Sequence, residues 1–332
     1  MAATIDTKVK NNKVYNKTNK MVIGVSARAL FDLTKEHEIY EKEGVGAYCD
    51  YQIAHEQEPL APGPGFGLIR SLLGLNTLGK GDLVEVIIMS HNSPDTSLRV
   101  FNTIRHYGLP ITRAVLVSGA SLAPYLEAFQ TDLYLSACEE DVQGAIDSGI
   151  AAGIICTERG GSFDTAVVGQ PGPIRIAFDG DAVLFTDESE RIFKAKGLHA
   201  FEENEERNAR NPLEAGPFAK FLCKLSDLQK LLAGDGGECP IRTALVTSRS
   251  TPAHERVIRT LRSWNVRVDE AFFLGGLEKK SVLAAFGAQI FFDDQSVHTQ
   301  SAAEAVPAAR VPYRKKNRRE RFSNEISDNR AC

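Results

Sequence analysis

The chain has 332 residues, 43% of them hydrophobic, and a formal net charge of −4. That length allows one large or two ordinary domains with ample core, and the mild negative charge excludes a dedicated nucleic-acid binder. No apolar run approaches the roughly 20 residues of a membrane span, so neither nucleic acid nor membrane is an expected partner.

Residues 1–20, "MAATIDTKVKNNKVYNKTNK", are polar and lysine-rich. They lack the apolar centre of a signal peptide and the arginines of a transit peptide, and read as a disordered tail. The six cysteines are scattered with no CxxC pair, which fits a reduced, cytoplasmic chain without structural zinc. Residues 22–25 form the first apolar strand, followed by a polar, helical excursion at 34–78. Within it, "APGPGFG" at 61–67 lacks the lysine and threonine of a P-loop and reads as turns. A strand at 86–89, a helix carrying Leu98, Phe101 and Ile104, a strand at 114–117, a helix at 122–129 and a strand at 133–135 follow. A short helix and a fifth strand near 151 close the set. Residues 157–173 read as a linker. The series then restarts: strand 174–178, excursion 188–233, strand 243–246, a helix with Val257, Ile258 and Leu261, strand 271–274, helix 280–286, strand 290–292, and a last strand near 308. Residues 314–332 are charged and read as a solvated tail. Apolar strands alternating with helices predict a parallel sheet covered on both faces.

The restart is a repeat in sequence as well as pattern. Shifted by 153, residues 21–67 fall on 174–220 without a gap, pairing Gly44 with Gly197 and "PLAPGP" with "PLEAGP". After a four-residue insertion the offset becomes 157, and "IIMSHNSPDTSLRVFNTIRHYGL" falls on "ALVTSRSTPAHERVIRTLRSWNV". A shared fold explains such constant spacing, because a one-residue slip would turn a strand's buried face outward. The expected organisation is a first lobe at 21–156 and a second at 174–313, the second with a cap at about 188–233.

Ligands of open parallel sheets bind beyond the carboxyl ends of the strands. In the second copy those ends carry Asp179 and Asp181, Thr247 and Ser248, and Asp293 and Asp294, with Lys279 ahead of the fourth strand. Carboxylates crowded into one crevice repel unless a cation neutralises them, and oxygen-only ligands favour Mg²⁺ over zinc. The lysine supplies positive charge for an anion such as phosphate. One aspartate can then attack phosphorus, while the other protonates the leaving oxygen and later activates water.

The order D-x-D, Thr/Ser, Lys, Asp-Asp resembles the haloacid-dehalogenase superfamily of phosphatases. "FDGDAVLFTDESE", "VSARALFDL", "TLRSW" and "IFFDDQ" are similar to the type 1 cytosolic 5′-nucleotidases, from about residue 21 to 313. The resemblance implies an α/β chain of two tandem haloacid-dehalogenase-like (HAD-like) parallel-sheet cores with helical caps, the first degenerate. It implies Mg²⁺-dependent hydrolysis of nucleoside 5′-monophosphates, AMP first among them, through an aspartyl-phosphate. Asp179 is then the nucleophile, Asp181 the acid/base, Thr247 a phosphate ligand, and Lys279 the orienting cation. The metal falls to Asp179, the carbonyl of Asp181, and the pair Asp293 and Asp294, with Asp294 direct and Asp293 in support. Ser248 and Arg249 are assigned to substrate, contact with its own helix being the alternative for Arg249. A phosphatase of another small phosphate ester, or a nucleotide-binding regulator, are the competing readings. A nucleotide effector and self-association stay open.

In the first copy Ser26 and Arg28 replace the two aspartates, Ser90 replaces Thr247, Leu122 replaces Lys279, and Ser136-Ala137 replaces the aspartate pair. This half reads as a structural partner or ligand-holding lobe. Arg28 either pairs across the lobe interface or binds an anion. Phe218 or Lys220 is a candidate near substrate, Phe218 otherwise being core. His298 is a metal candidate or a structural histidine.

Overall fold

All five residues of β1 (Met21–Val25) are buried, as are both ends of β6 (Ile174–Phe178). Continuous apolar runs of this kind require cover on both faces of the sheet. The computed structural model describes residues 20–157, 173–233, 239–250 and 253–313. Nearly all of the expected tails and linker lies outside them. In chain order the other strands are β2 (Val84–Ser90), β3 (Arg113–Leu116), β4 (Leu133–Ser136), β5 (Ala151–Ile155), β7 (Ile241–Thr247), β8 (Glu270–Phe273), β9 (Ile290–Asp293) and β10 (Ala308–Arg310). They form one ten-stranded sheet in the order β3-β2-β1-β4-β5-β10-β9-β6-β7-β8. Every pairing is parallel except the central one, where Ala309 and Arg310 run antiparallel to Ile155 and Ile154. The chain is therefore α/β with a mostly parallel sheet. Among the described residues no helix is long and apolar enough to cross a membrane.

The two sides of that central seam have the same strand order read outwards. Their details recur at the sequence offsets. Thr103 Oγ accepts from the Leu60 amide and Thr260 Oγ from that of Leu213. The cross-strand pair Arg113–Glu85 on one side is Arg242–Glu270 on the other, with the charges exchanged between the strands. Left-handed backbone at Ser118 and Gly119 recurs at Gly275 and Gly276. The long helices α2 (Thr34–Ala54) and α7 (Glu188–Arg207) are both broken at matching glycines, Gly44 at φ 87° and Gly197 at φ 81°.

One stretch departs from the gap-free register. The Phe31 amide closes an ordinary helical turn on Ala27 O, whereas the Phe185 amide reaches back five residues to Gly180 O. The segment Gly180–Leu184 thus contains one residue more than α1 (Ala27–Leu30). Asp181 (ψ 140°) and Ala182 (φ 59°) leave helical geometry to accommodate it. Phe31 therefore corresponds to Phe185, and Arg28, held inside a helix that Ser26 caps, does not stand in for Asp181. The extra residue loops out the second aspartate.

The expected cap also divides. Helix α7 stands over the strand ends, but α8 (Ala219–Leu232) buries Phe221, Leu222, Leu225 and Leu228 in the main core. Phe218 is fully buried and packs on Phe292 at 4.6 Å between ring centroids, while Phe178 and Phe292 stack at 5.7 Å. Phe218 is thus core, and Lys220 is exposed on α8. Such aromatic pairs contribute about 0.5–1.5 kcal/mol each beyond burial. Here they fix the strand ends from which Asp179 and Asp293 emerge.

Gly216 anchors the turn beneath this loop, donating to Leu184 O. A Cβ there would lie 2.4 Å from Phe185 O and 2.6 Å from Val183 O, both backbone atoms. Gly216→Ala should destabilise the chain by at least about 2 kcal/mol, the scale of overpacking. Denaturant unfolding measures it, and an unchanged midpoint would contradict this packing.

Candidate active site

Asp179 directly follows β6, while β7 ends at Thr247 and β9 at Asp293, so parallel neighbours bring three polar positions to one crevice. The Asp179 amide donates to Phe292 O at 2.8 Å, which fixes its place beside β9. Lys279 arrives from the start of α10 (Lys280–Phe286) and is 3% exposed. Its ammonium donates to Asp179 Oδ1 and Asp293 Oδ2, each at 2.6 Å. Burial alone would lower the lysine pKa, but the two carboxylates outweigh it and keep the cation charged.

Asp293 has no spare oxygen. Oδ2 also meets His298 Nδ1 at 3.2 Å, and Oδ1 accepts from the Gln295 amide at 2.8 Å. Burial opposes its charge, yet these bonds and Lys279 hold its pKa below the usual range. Asp179 goes the other way, pushed up to about 8 by burial, with Asp293 and Asp181 adding to the shift and Lys279 opposing it. Burial likewise raises Asp294 to about 6, although Tyr313 donates to its Oδ2 at 2.5 Å. One lysine therefore does not compensate three buried carboxylates. Oxygens of Asp179, Asp293 and Asp294 lie within 4.8 Å of one another. That all-oxygen, anionic set fits a hard divalent cation.

Asp181 points to a different partner. Arg249 grips it with two bonds, Nε to Oδ2 at 2.8 Å and Nη2 to Oδ1 at 2.6 Å. The remaining Nη1 donates to Glu205 Oε2 at 2.6 Å, and Arg256 Nη1 donates to Glu205 Oε1 at 2.9 Å. Glu205 and Arg249 are 1% and 4% exposed. Arg249 thus lines the cleft with its guanidinium bonded to the carboxylates of Asp181 and Glu205 rather than to its own helix. Thr247 is buried and accepts from the Arg249 amide at 3.3 Å, while Ser248 is exposed on the cleft rim.

A cavity of about 290 Å³ opens over Asp179, Asp181, Thr247, Ser248, Lys279 and His298. Its roof comes from α7, where Phe193 and Phe201 meet edge to face at 6.4 Å. The His298 ring meets the three-carboxylate cluster only through Asp293, and His298 is not one of the groups that converge on the candidate cation position. Sequence reasoning missed Glu205 and Tyr313. Glu205 sits in the charge run "EENEER", which reads as solvated, and Tyr313 stands at the edge of the charged tail. It also missed a second cluster, His91, Cys138 and Asp141, in the first half.

A family model described as 5′-nucleotidase matches residues 13–318. The human protein cytosolic 5′-nucleotidase 1B is 38% identical over 307 residues, which cover 90% of this chain and 50% of that protein. The chain thus spans about half the length of that curated relative. Among solved structures, a chain titled "Structure of Pnkp1/Rnl/Hen1 complex" covers 89% of this chain and 97% of its own, at 11% identity and a TM-score of 0.31. A likeness that weak carries no argument.

The crowded carboxylates predict a pH signature in metal-free protein. Asp179 at about 8 and Asp294 at about 6 lie above the ordinary aspartate value of 3.8. Folding therefore favours their protonated forms: the stabilisation is complete below about pH 4 and is lost as pH rises through 6 and then 8. The melting temperature in chelator should fall on this alkaline limb, and Asp179→Asn should flatten it. Superimposable limbs for the two proteins would contradict the burial of an uncompensated Asp179.

Proposed function

The chain belongs to the 5′-nucleotidase family, and from that footing we propose that it hydrolyses nucleoside 5′-monophosphates to nucleoside and phosphate, with AMP the substrate to test first. One observation carries the reading: three buried carboxylates and a buried lysine converge at parallel strand ends beneath an aromatic roof.

In this reading Asp179 is the nucleophile. Its Oδ1 is held by Lys279, and Oδ2 is left to attack phosphorus in line with the leaving ribose oxygen. The product of that step is an acyl phosphate on Asp179. Lys279 stays protonated and screens the incoming dianion from Asp179 and Asp293. Mg²⁺, bound by Asp179, Asp294 and the carbonyl of Asp181, would supply charge neutralisation for the phosphoryl oxygens. Asp294 suits direct ligation because Tyr313 is its side-chain donor, whereas both oxygens of Asp293 are already engaged. Thr247 and Ser248 line the same cleft, and in this reading their hydroxyls donate to the phosphate oxygens.

Asp181 takes the acid/base part. It must give a proton to the leaving oxygen, then take one from the water that attacks the acyl phosphate. Arg249 holds both of its oxygens, so the acid form requires Asp181 to turn from at least one of those bonds toward the substrate. The matched strand orders and offsets support reading the halves, 21–156 and 174–313, as two HAD-like cores from one duplication, the catalytic one capped by α7.

Asp179→Asn should abolish phosphate release from AMP in a protein that still unfolds cooperatively, because an amide is a poor nucleophile. Asp181→Asn should slow release by about 10²-fold or more, the scale of general acid–base catalysis. Chelator should stop the wild-type reaction and Mg²⁺ restore it, with Asp294→Ala raising the Mg²⁺ requirement. Phosphate-release assays on AMP and on ribose 5-phosphate decide among these: substantial turnover by Asp179→Asn would overturn the covalent route, and preference for the sugar phosphate would overturn the nucleotide.

A further inference from the structure

The first half also has a crevice at its strand ends, and it is larger, about 490 Å³ against 290 Å³. Its roof repeats that of the second crevice. Tyr40 and Tyr48 on α2 occupy the positions of Phe193 and Phe201 and meet edge to face at 6.1 Å. Val45 stands where Leu198 stands, and both line their cavities. The lid over the proposed nucleoside site is thus present twice.

The floor is inverted. Where the second crevice has Asp179, Thr247 and the pair Asp293 and Asp294, the first has Ser26, Ser90, and Ser136 with Ala137. Leu122, fully buried, replaces the lysine. Ser26 Oγ accepts from the Ala29 amide and Ser90 Oγ from the Asn92 amide. A hydroxyl used as an acceptor in this way keeps its own O–H to donate. The acids lining the cavity are already paired: Glu36 with Arg99 at 2.6 Å, and Asp141 with His91 at 2.8 Å. Arg28 lines the floor half-buried, and among the described residues no carboxylate lies within ion-pair distance of it. Partial burial lowers its pKa, with only longer-range help from Cys138, Glu41 and Tyr48. It therefore does not pair across the lobe interface. The site has donors and a cation where its counterpart has acceptors that need one.

We propose that the first-half crevice binds a nucleoside phosphate directly, without a metal ion, with the phosphate on Arg28, Ser26 and Ser90 and the base against Tyr40 and Tyr48. The anion part rests on this floor alone. The nucleoside part rests on the substrate class proposed for the second crevice, whose lid it shares.

Calorimetric titration of the full chain in EDTA separates the two crevices, because the second then lacks its cation and its carboxylates repel phosphate. AMP should saturate one site per chain. Arg28→Ala should weaken it about tenfold or more, as expected for a lost charged hydrogen bond, and Ser90→Ala by a few fold. Tyr48→Ala should weaken AMP while leaving inorganic phosphate unchanged. No saturable binding in EDTA, or equal affinity in a folded Arg28→Ala protein, would overturn the site. AMP no tighter than inorganic phosphate would overturn its nucleoside half. Failure of the hydrolase reading looks different: Arg28-dependent binding in EDTA would persist in a protein that releases no phosphate with Mg²⁺.

Discussion

The ammonium of Lys279, buried between Asp179 and Asp293 at 2.6 Å from each, is the interaction on which the second crevice depends. Removing charges from water costs several kcal/mol per ion, and that cost is met only if the partners are held in good geometry. The sheet supplies the geometry. Asp179 and Asp293 stand at the ends of adjacent parallel strands, pinned by the Asp179 amide to Phe292 O and by the stacked rings of Phe178 and Phe292. The lysine closes one side only. Asp179 and Asp294 are left with raised pKa values, so in the absence of a cation the crevice favours their protonated forms, and a bound cation would draw out their charge where a phosphate dianion would meet it.

A second charge network solves a different problem. Asp181 belongs to a loop with one residue too many for a helical turn, and a loop of that kind does not hold a side chain by itself. The guanidinium of Arg249 does so, and its own burial is tolerated because Glu205 takes its third bond and Arg256 balances Glu205. The first half has the simpler version. Its turn is a regular helix capped by Ser26, and Arg99 pairs with Glu36 where Arg256 pairs with Glu205. The strand order is common to both halves, and the two crevices differ by one inserted residue and a handful of exchanged polar groups.

Much of this was legible in the sequence. Strand and helix positions followed from apolar runs, and the catalytic candidates followed from where those runs end. The repeat offsets located matched helix breaks such as Gly44 and Gly197, where glycine suits the positive φ. What escaped depends on three-dimensional pairing. The extra residue at Gly180–Leu184 is compensated within the next dozen positions, so an ungapped alignment hides it. Glu205 and Arg249 are 44 residues apart, and neither has a local pattern that marks it as buried. For Phe218 the sequence leaves both a place near substrate and a place in the core open, and the structure decides for the core, its ring completing the cluster under β6 and β9.

The central claim is that Asp179 carries the phosphoryl group. Rapid acid quench during AMP turnover, followed by mass analysis of the digested chain, tests it directly, since acyl phosphates survive acid. The account predicts a phosphorylated peptide containing Asp179, formed only when Mg²⁺ is present. Product release with no phosphorylated peptide, or with the phosphoryl group on another residue, would contradict it.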